Sequence, residues 1–471
     1  MKSTLIDFFF FVCILVSSLS CQSDNSSEAL VEPRCSIVVE GQGSLQLEIE
    51  NKATLLTAFI SANTDWKLKS DSGWCRISKL SGKATTQDEP QQITIKVEPN
   101  TTDEMRIAHI RLEAGTVNAK LDISQNGYIS VDDSQWETAV SAVRNMRVGW
   151  NLGNSLDTHG DWILEYSAGR PSDLETGWGN PVTTPEMIQM FKEAGFNAIR
   201  VPVTWYQHLD KDGVIDIEWM QRVEEVVNYV LDAKMYCILN VHHDTGDGGW
   251  LAADLNNYAT ISARYKKLWE QIAIHFRNYD SYLIFESYNE MLDGKNHWTE
   301  TDNSGYKAQN ALLQDFVDVV RKTGGNNRYR NLSINTYSAA YTSLTLNNFI
   351  VPIDVVRDRL IAQVHVYSPY SFALDKESPV KEFTSADAQD ISNIMFRLNE
   401  CFCLKGIPVI IGEFSSEDKG NTPERVKHAA HLVSEASRYG IVCFKWMGLL
   451  DRKTLIWNEP EILDAIIYNV N

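Results

Sequence analysis

From about residue 136 to its end the chain alternates short apolar runs with amphipathic stretches, eight times over, and few folds accept that rhythm. The runs at 146–156, 196–205, 236–244, 282–291, 329–338, 360–369, 407–415 and 441–448 are rich in β-branched and aromatic residues and read as buried strands. Between them lie stretches such as 217–233 (IEWMQRVEEVVNYVLDA), whose apolar residues recur at helical spacing. Eight such units in residues 136–471 predict an α/β fold, a (β/α)₈ TIM barrel with insertions. In that fold the catalytic groups stand at the C-terminal ends of the strands, so the polar residues there can be read as a list.

Strand 1 ends in Asn151-Leu152-Gly153-Asn154, strand 2 carries Arg200, and strand 3 ends in His242-His243-Asp244. Strand 4 ends in Asn289-Glu290, strand 6 in His365-Val366-Tyr367 and strand 7 in Glu413, while strand 8 holds Trp446. Singly, each has a plain structural explanation: a rim Glu is solvated, a strand Arg pairs with a buried carboxylate, a strand Trp packs in the core. Together they place a polar or aromatic group at one end of nearly every strand, which points to a site.

Two carboxylates converging at a barrel rim are the equipment of glycoside hydrolysis, one as acid and base, the other as nucleophile or base. Glu290 and Glu413 close the runs YLIFESYNE and IPVIIGE and form that pair. The acid must hold its proton near neutral pH, whereas the nucleophile must stay ionised, which a neighbouring Arg or Tyr hydroxyl favours. Asn289 would bind a sugar 2-hydroxyl. Glu286 competes for the acid role because it shares strand and parity with Glu290. Four extended residues span about 13 Å, which would sink Glu286 below the site and into an ion pair with Arg200, so Glu290 is the better acid. Adjacent strand residues point to opposite faces. His242 and His243 are therefore not expected to chelate one ion, and neither metal nor cofactor is expected.

The first 21 residues carry Lys2, an apolar run FFFFVCILV and then SSLSC, too short to span a bilayer and in keeping with a secretory signal. Cys21 after small residues matches a lipoprotein signal, with lipidation of that cysteine and an outer-membrane surface location expected; cleavage without lipid is the alternative. Residues 22–34 read as a polar tether. Residues 35–128 show short alternating strands and no helix, the pattern of a small all-β, immunoglobulin-like sandwich, with Trp66 and Trp74 packed inside. Acidic residues outnumber basic ones by 62 to 43, giving a net charge of −19, which argues against nucleic acid and leaves neutral polysaccharides open. Six cysteines lie beyond the signal, without zinc-ligand spacing; Cys237 and Cys443 sit in apolar runs and read as buried thiols. A monomer is expected.

The segments 149–156 (GWNLGNSL), 196–204 (FNAIRVPVT), 239–243 (LNVHH), 287–290 (SYNE), 365–367 (HVY) and 410–414 (IGEF) together resemble glycoside hydrolase family 5, nearest the endo-β-1,4-glucanases. That subfamily also holds xyloglucanases, lichenases and xylanases. The resemblance implies a retaining, cofactor-free barrel with Glu290 as acid/base and Glu413 as nucleophile. It also implies that Asn154, Arg200, His242, His243, Asn289, His365 and Tyr367 line the subsite of the reacting sugar. Two departures stand out: Met291 replaces the Pro usual after the acid, and Phe444-Lys445-Trp446-Met447 replaces a pair of adjacent Trp on strand 8. Trp446 is taken as the stacking residue, with Lys445 a change that could alter the site. Trp178 and Trp250 are candidates either for outer sugar platforms or for surface packing. Residues 35–128 resemble a BACON module, through Trp66, Trp74-Cys75-Arg76-Ile77-Ser78, Ser81-Gly82, Val97-Glu98-Pro99-Asn100, Arg106 and Ile123-Ser124-Gln125-Asn126-Gly127. A spacer role is favoured for it over glycan binding. The expected function is endo-hydrolysis of β-1,4-glucan. The alternatives are xyloglucan, xylan or mannan on the same scaffold, or non-catalytic glycan capture.

Overall fold

A computed structural model describes residues 32–470, apart from 52, 87–88, 101, 103, 128–135, 167–169, 247 and 300–302. The signal-like segment and most of the tether lie outside the described residues. Among the described residues nine strands form the N-terminal sandwich: β1 (Cys35–Val39), β2 (Gln46–Ile49), β3 (Thr54–Ala62), β4 (Trp66–Ser70), β5 (Cys75–Ile77), β6 (Ser81–Gly82), β7 (Gln91–Val97), β8 (Arg106–Ala114) and β9 (Val117–Gln125). They pair as one sheet β1-β3-β7-β5 and another β2-β9-β8-β4-β6. Alternate residues of both sheets, including Ile60, Ile95, Ile110 and Ile123, are buried in a common core. Trp66 is buried there as expected. Trp74 is not: it packs half-buried on the edge, with the Arg106 guanidinium 4.2 Å above its ring.

The second unit is a closed barrel of eight parallel strands: β10 (Gly149–Asn151), β11 (Ala198–Val201), β12 (Tyr236–Asn240), β13 (Leu283–Glu286), β14 (Leu332–Asn335), β15 (Leu360–His365), β16 (Val409–Phe414) and β17 (Val442–Trp446). All eight fall within the expected runs but end earlier, so several expected strand-end residues stand on the loops that follow. The helices form because capping and periodicity agree. In Ile217–Asp232, the Asp216 side chain accepts the N–H groups of Glu218 and Trp219, and Trp219, Val223, Val226, Val227 and Val230 bury one face against the barrel wall.

The barrel interior is graded along its axis. At the N-terminal end Ala198, Ile238, Ile284, Ile361, Ile410 and Phe444 pack with Ala139, Ala142 and Val143 of the helix Ala139–Asn145, which closes that end. The next inward positions toward the C-terminal end are Asn151, Arg200, Asn240, Glu286, Asn335 and Gln363, all fully buried. An apolar plug thus supports a polar layer, and the cleft opens above it. Cys237 and Cys443 are buried free thiols, and the described cysteines form no disulfide. No helix among the described residues is long and apolar enough to cross a membrane. Asn278 Nδ2 donates to Asn51 Oδ1 at 2.6 Å, tying sandwich to barrel.

Candidate active site

A cleft of about 420 Å³ opens at the C-terminal end of the barrel, and its walls include His242, His243, Asn289, Glu290, His365, Tyr367, Glu413 and Trp446. Eight of the ten residues singled out from sequence therefore meet in one place. An oxygen of Glu290, one of Glu413 and a ring nitrogen of His365 all lie within 4.8 Å of one another.

The two carboxylates are held differently. Glu413 Oε1 accepts Arg200 Nη1 and its Oε2 accepts the Tyr367 hydroxyl, each at 2.8 Å. Burial pushes the Glu413 carboxyl above its ordinary value and the Glu290 charge adds to this, while His365, Arg200 and Tyr367 oppose it. Glu290 reaches further into solvent, and its Oε1 lies 2.7 Å from His365 Nδ1. That nitrogen is also 3.6 Å from Glu413 Oε2, so one imidazole bridges the pair. Glu413 already accepts from two donors, one of them an Arg that cannot accept in return. Glu290, with His365 as its partner, is the carboxylate left free to give and regain a proton.

Arg200 corrects the expectation that it contacts sugar. It is fully buried, and all five of its N–H donors are taken: by Glu286 twice, at 2.7 Å, and by Asn151, Glu413 and Asn289 at 2.8–2.9 Å. Its work is to pin Glu413 and Asn289. Glu286 pairs with Arg200 as anticipated, but it does not lie the depth of four extended residues below the site. The strand ends at Glu286 and the chain turns, so one guanidinium touches both Glu286 and Glu413. Burial alone would raise the Glu286 carboxyl, yet the charge and hydrogen bonds of Arg200 and the amide of Asn240 hold it below the ordinary value.

With its Oδ1 taken by Arg200, Asn289 leaves its NH₂ group to serve the cleft as a donor. Asn240 Oδ1 accepts the Val203 N–H, so its NH₂ donates to Glu286 and to His242 Nδ1, at 3.1 Å each. His242 must then carry its proton on Nε2, and burial holds this imidazole far below its ordinary value, neutral. Burial likewise takes His243 down to about 3.

The expected divergence of the two histidines does not occur. β12 stops at Asn240, and in the loop beyond it both rings join one wall, their centroids 4.5 Å apart. Nitrogens of both lie within 4.8 Å of an Asp157 oxygen, but that carboxylate already accepts the N–H groups of Asn154 and Ser155 at 2.9 and 2.7 Å. Those two bonds hold the loop that carries Asn154 and Ser155 against the histidine wall.

Asn154 is outside the cleft lining; its φ is +55° and its carbonyl accepts Asn180 Nδ2. Trp446 does line the cleft, parallel to His242 within 5° at 5.7 Å between centroids. Gly153 makes room for it, since a Cβ there would sit 2.7 Å from the indole. Lys445 points to the barrel's outer side and does not line the cleft. Trp178 packs edge-on against His159 and His243, and Trp250 donates to Asp244 beneath Arg264, so both are fixed by packing. Sequence reasoning missed Trp298, Tyr341 and Tyr370, which also line the cleft. Trp298 and Tyr341 stand on loops and Tyr370 opens the short helix Tyr370–Ala373, all without periodicity, and only their aromatic character in polar surroundings could have marked them. It also passed over Asn335 at the end of β14, whose Nδ2 donates to Glu286.

A closed parallel barrel bearing two carboxylates across an open cleft, one pinned by Arg and Tyr, defines a glycoside hydrolase of the TIM-barrel class. Comparison with known proteins agrees. The pattern described as cellulase (glycosyl hydrolase family 5) matches residues 156–448, and that of BACON, a putative binding domain, matches residues 64–126. The chain is 39% identical over 370 residues to endoglucanase A of Clostridium longisporum, covering 75% of this chain and 70% of that one. A crystal structure of a glycoside hydrolase family 5 enzyme from Prevotella bryantii superimposes with a TM-score of 0.66 at 40% identity, covering 71% of this chain and 99% of that one. A Bacteroides ovatus family 5 xyloglucanase, solved with a heptasaccharide, matches 92% of this chain and 99% of its own at 27% identity and a TM-score of 0.66. The protein belongs to glycosyl hydrolase family 5 and is a retaining glycoside hydrolase.

Proposed function

We propose that the protein is an endo-acting hydrolase of β-1,4-glucosidic bonds in glucans, with xyloglucan among its substrates. The observation that carries this is the Glu290–Glu413 pair in an open cleft, Glu413 fixed by Arg200 and Tyr367. Glu413 attacks the anomeric carbon as the glycosidic C–O bond breaks and Glu290 delivers its proton to the leaving oxygen. Water then attacks the same carbon, Glu290 takes its proton, and Glu413 is released. Two displacements return the anomeric centre to its first configuration, in keeping with the short distance between the carboxylates. Asn289 offers its NH₂ to the 2-hydroxyl and Trp446 stacks on the sugar face, while neutral His242 donates from Nε2.

The xyloglucan reading draws support from the relatives: the Bacteroides ovatus xyloglucanase matches across both units, and the Prevotella bryantii enzyme has been solved with a xyloglucan tetradecasaccharide. A reducing-sugar assay on mixed-linkage glucan, cellulose, xyloglucan, mannan and xylan tests it. Products from the glucans and xyloglucan, with none from Glu413→Ala, are expected. Polymer binding without product release would replace this reading with glycan capture.

The reading extends to location. The run FFFFVCILVSSLSC supports export and lipidation at Cys21, with the sandwich as a spacer between a membrane surface and a monomeric barrel. Incorporation of an alkyne fatty acid by the full chain, and its loss in Cys21→Ala, is the expected result. Elution as one copy in gel filtration is expected for the soluble part.

A further inference from the structure

Behind Trp446 the chain makes a turn that does not suit its residues. Met447, Gly448 and Leu449 have φ of 45°, 64° and 69°, three left-handed positions of which only one is glycine. Such a turn persists only where its surroundings impose it, and here a buried lysine and a half-buried glutamate do so. Phe444 and Trp446 face the barrel interior, so Lys445 between them faces outward and is buried. Its ammonium donates to Ser415 Oγ at 2.8 Å and to the carbonyls of Trp446 and Met447 at 3.1 and 3.3 Å, using all three protons. From the other side of the turn, Glu459 Oε2 accepts the Leu449 N–H at 2.9 Å, and its other oxygen accepts from Arg425. A Cβ on residue 448 would meet Glu459 Oε2 at 2.6 Å and Lys445 Nζ at 3.4 Å, which shows how closely the two charges grip the turn.

We infer that Lys445 and Glu459 are positioning residues that hold the Trp446 indole where it meets the reacting sugar. Neither touches the cleft. Both act through the backbone that carries the indole, Lys445 on its carbonyls and Glu459 on the N–H that closes the turn. Without this grip the turn relaxes toward ordinary φ, and the ring plane that now parallels His242 within 5° is lost. Burial takes the Lys445 ammonium down to about 8, partly offset by the Glu459 charge, so the lysine remains mostly charged at neutral pH. The inference rests on the proposed role of Trp446 in the glucanase reading.

A double-mutant cycle on a soluble cello-oligosaccharide tests it, using the full chain as wild type, Lys445→Met, Trp446→Ala and the double variant. Lys445→Met is expected to lower kcat by about 10- to 100-fold, as loss of alignment does, with KM little changed. In the Trp446→Ala background it should cost less than about twofold, because nothing remains to be positioned. An effect below about twofold in the wild-type background, or an equal loss in both backgrounds, would overturn the assignment. Should Lys445→Met fail to fold, Glu459→Met, which removes the acceptor of the Leu449 N–H, goes through the same cycle under the same criteria. A wild type inactive on every glucan would sink the glucanase reading itself. An active wild type with an indifferent Lys445 would sink only this inference.

Discussion

The Tyr367 hydroxyl donates to Glu413 Oε2 at 2.8 Å, and because Arg200 occupies Oε1, both oxygens of this carboxylate are fixed before any substrate arrives. The bond favours the ionised carboxylate, against the burial that raises its value. Tyr367→Phe removes it without changing the ring. A hydrogen bond to a charged group contributes about 1.5–3 kcal/mol, so kcat should fall about 10- to 100-fold. The Glu413 carboxyl then rises further, and the acid limb of the kcat/KM profile should move to higher pH. A limb that stays in place, or moves down, would refute the electrostatic role given to Tyr367.

Glu290 reaches solvent more freely than Glu413 and touches only His365 among the site's donors and acceptors, which suits a group that gives up and regains a proton. In Glu290→Ala, an aryl glucoside with a good leaving group needs no proton for the first displacement, whereas a natural oligosaccharide does. Turnover of the oligosaccharide should drop by roughly 10²- to 10⁴-fold. With the aryl substrate the second displacement becomes limiting, and added azide should restore the rate and yield a β-glycosyl azide. An α-azide would place the nucleophile elsewhere.

Arg200 neutralises two buried carboxylates at once, Glu286 and Glu413. Arg200→Met strands both, and removing one partner of a buried pair costs about 3–5 kcal/mol of stability. Glu286 is held below its ordinary value in the native protein, so its contribution is present above the unfolded value and lost as pH falls through the folded one. In the variant the guanidinium is gone, and burial, opposed mainly by the amides of Asn240 and Asn335, raises it. The deficit relative to wild type should therefore be greatest near pH 7 and shrink toward pH 4, as read from denaturant unfolding at both. A deficit that grows toward acid would contradict the pairing.

Much of this was legible in the sequence because the period of the chain carries it. Eight apolar runs separated by amphipathic helices leave little choice of fold, and Glu290, Glu413, His365 and Tyr367 were found by their position at the ends of those runs. What could not be read is where each strand stops. β12 ends at Asn240 and β13 at Glu286, and beyond those points two-residue alternation no longer holds. That is why His242 and His243 share a wall and why Glu286 lies within reach of the same guanidinium as Glu413. Arg200 was seen as a partner for Glu286, but the tally of its donors, which excludes sugar, depends on five bonds to four residues on three segments of the chain. Trp298 and Tyr341 stand on loops, and Tyr370 on a single helical turn, whose paths are set by tertiary contacts, so their sequence neighbours say nothing of the cleft.

Gly149 opens β10, and its inward face is occupied by a ring from the neighbouring strand: a Cβ there would lie 2.1 Å from Phe444 Cδ1. Phe444 is fully buried among Ile410, Ile361 and the closing helix, so the ring cannot swing aside without displacing the apolar plug. Gly149→Ala therefore overpacks a closed layer, and such insertions cost about 1–3 kcal/mol. The polar layer and the carboxylates stand above it, on the C-terminal ends of the strands and the loops that follow them. The expected variant unfolds at lower denaturant concentration than wild type, yet its folded fraction keeps a kcat/KM close to the wild-type value. If stability were unchanged, Phe444 would not fill the space in front of Gly149. If kcat/KM of the folded fraction fell as far as in Tyr367→Phe, the plug and the catalytic layer would be coupled rather than stacked.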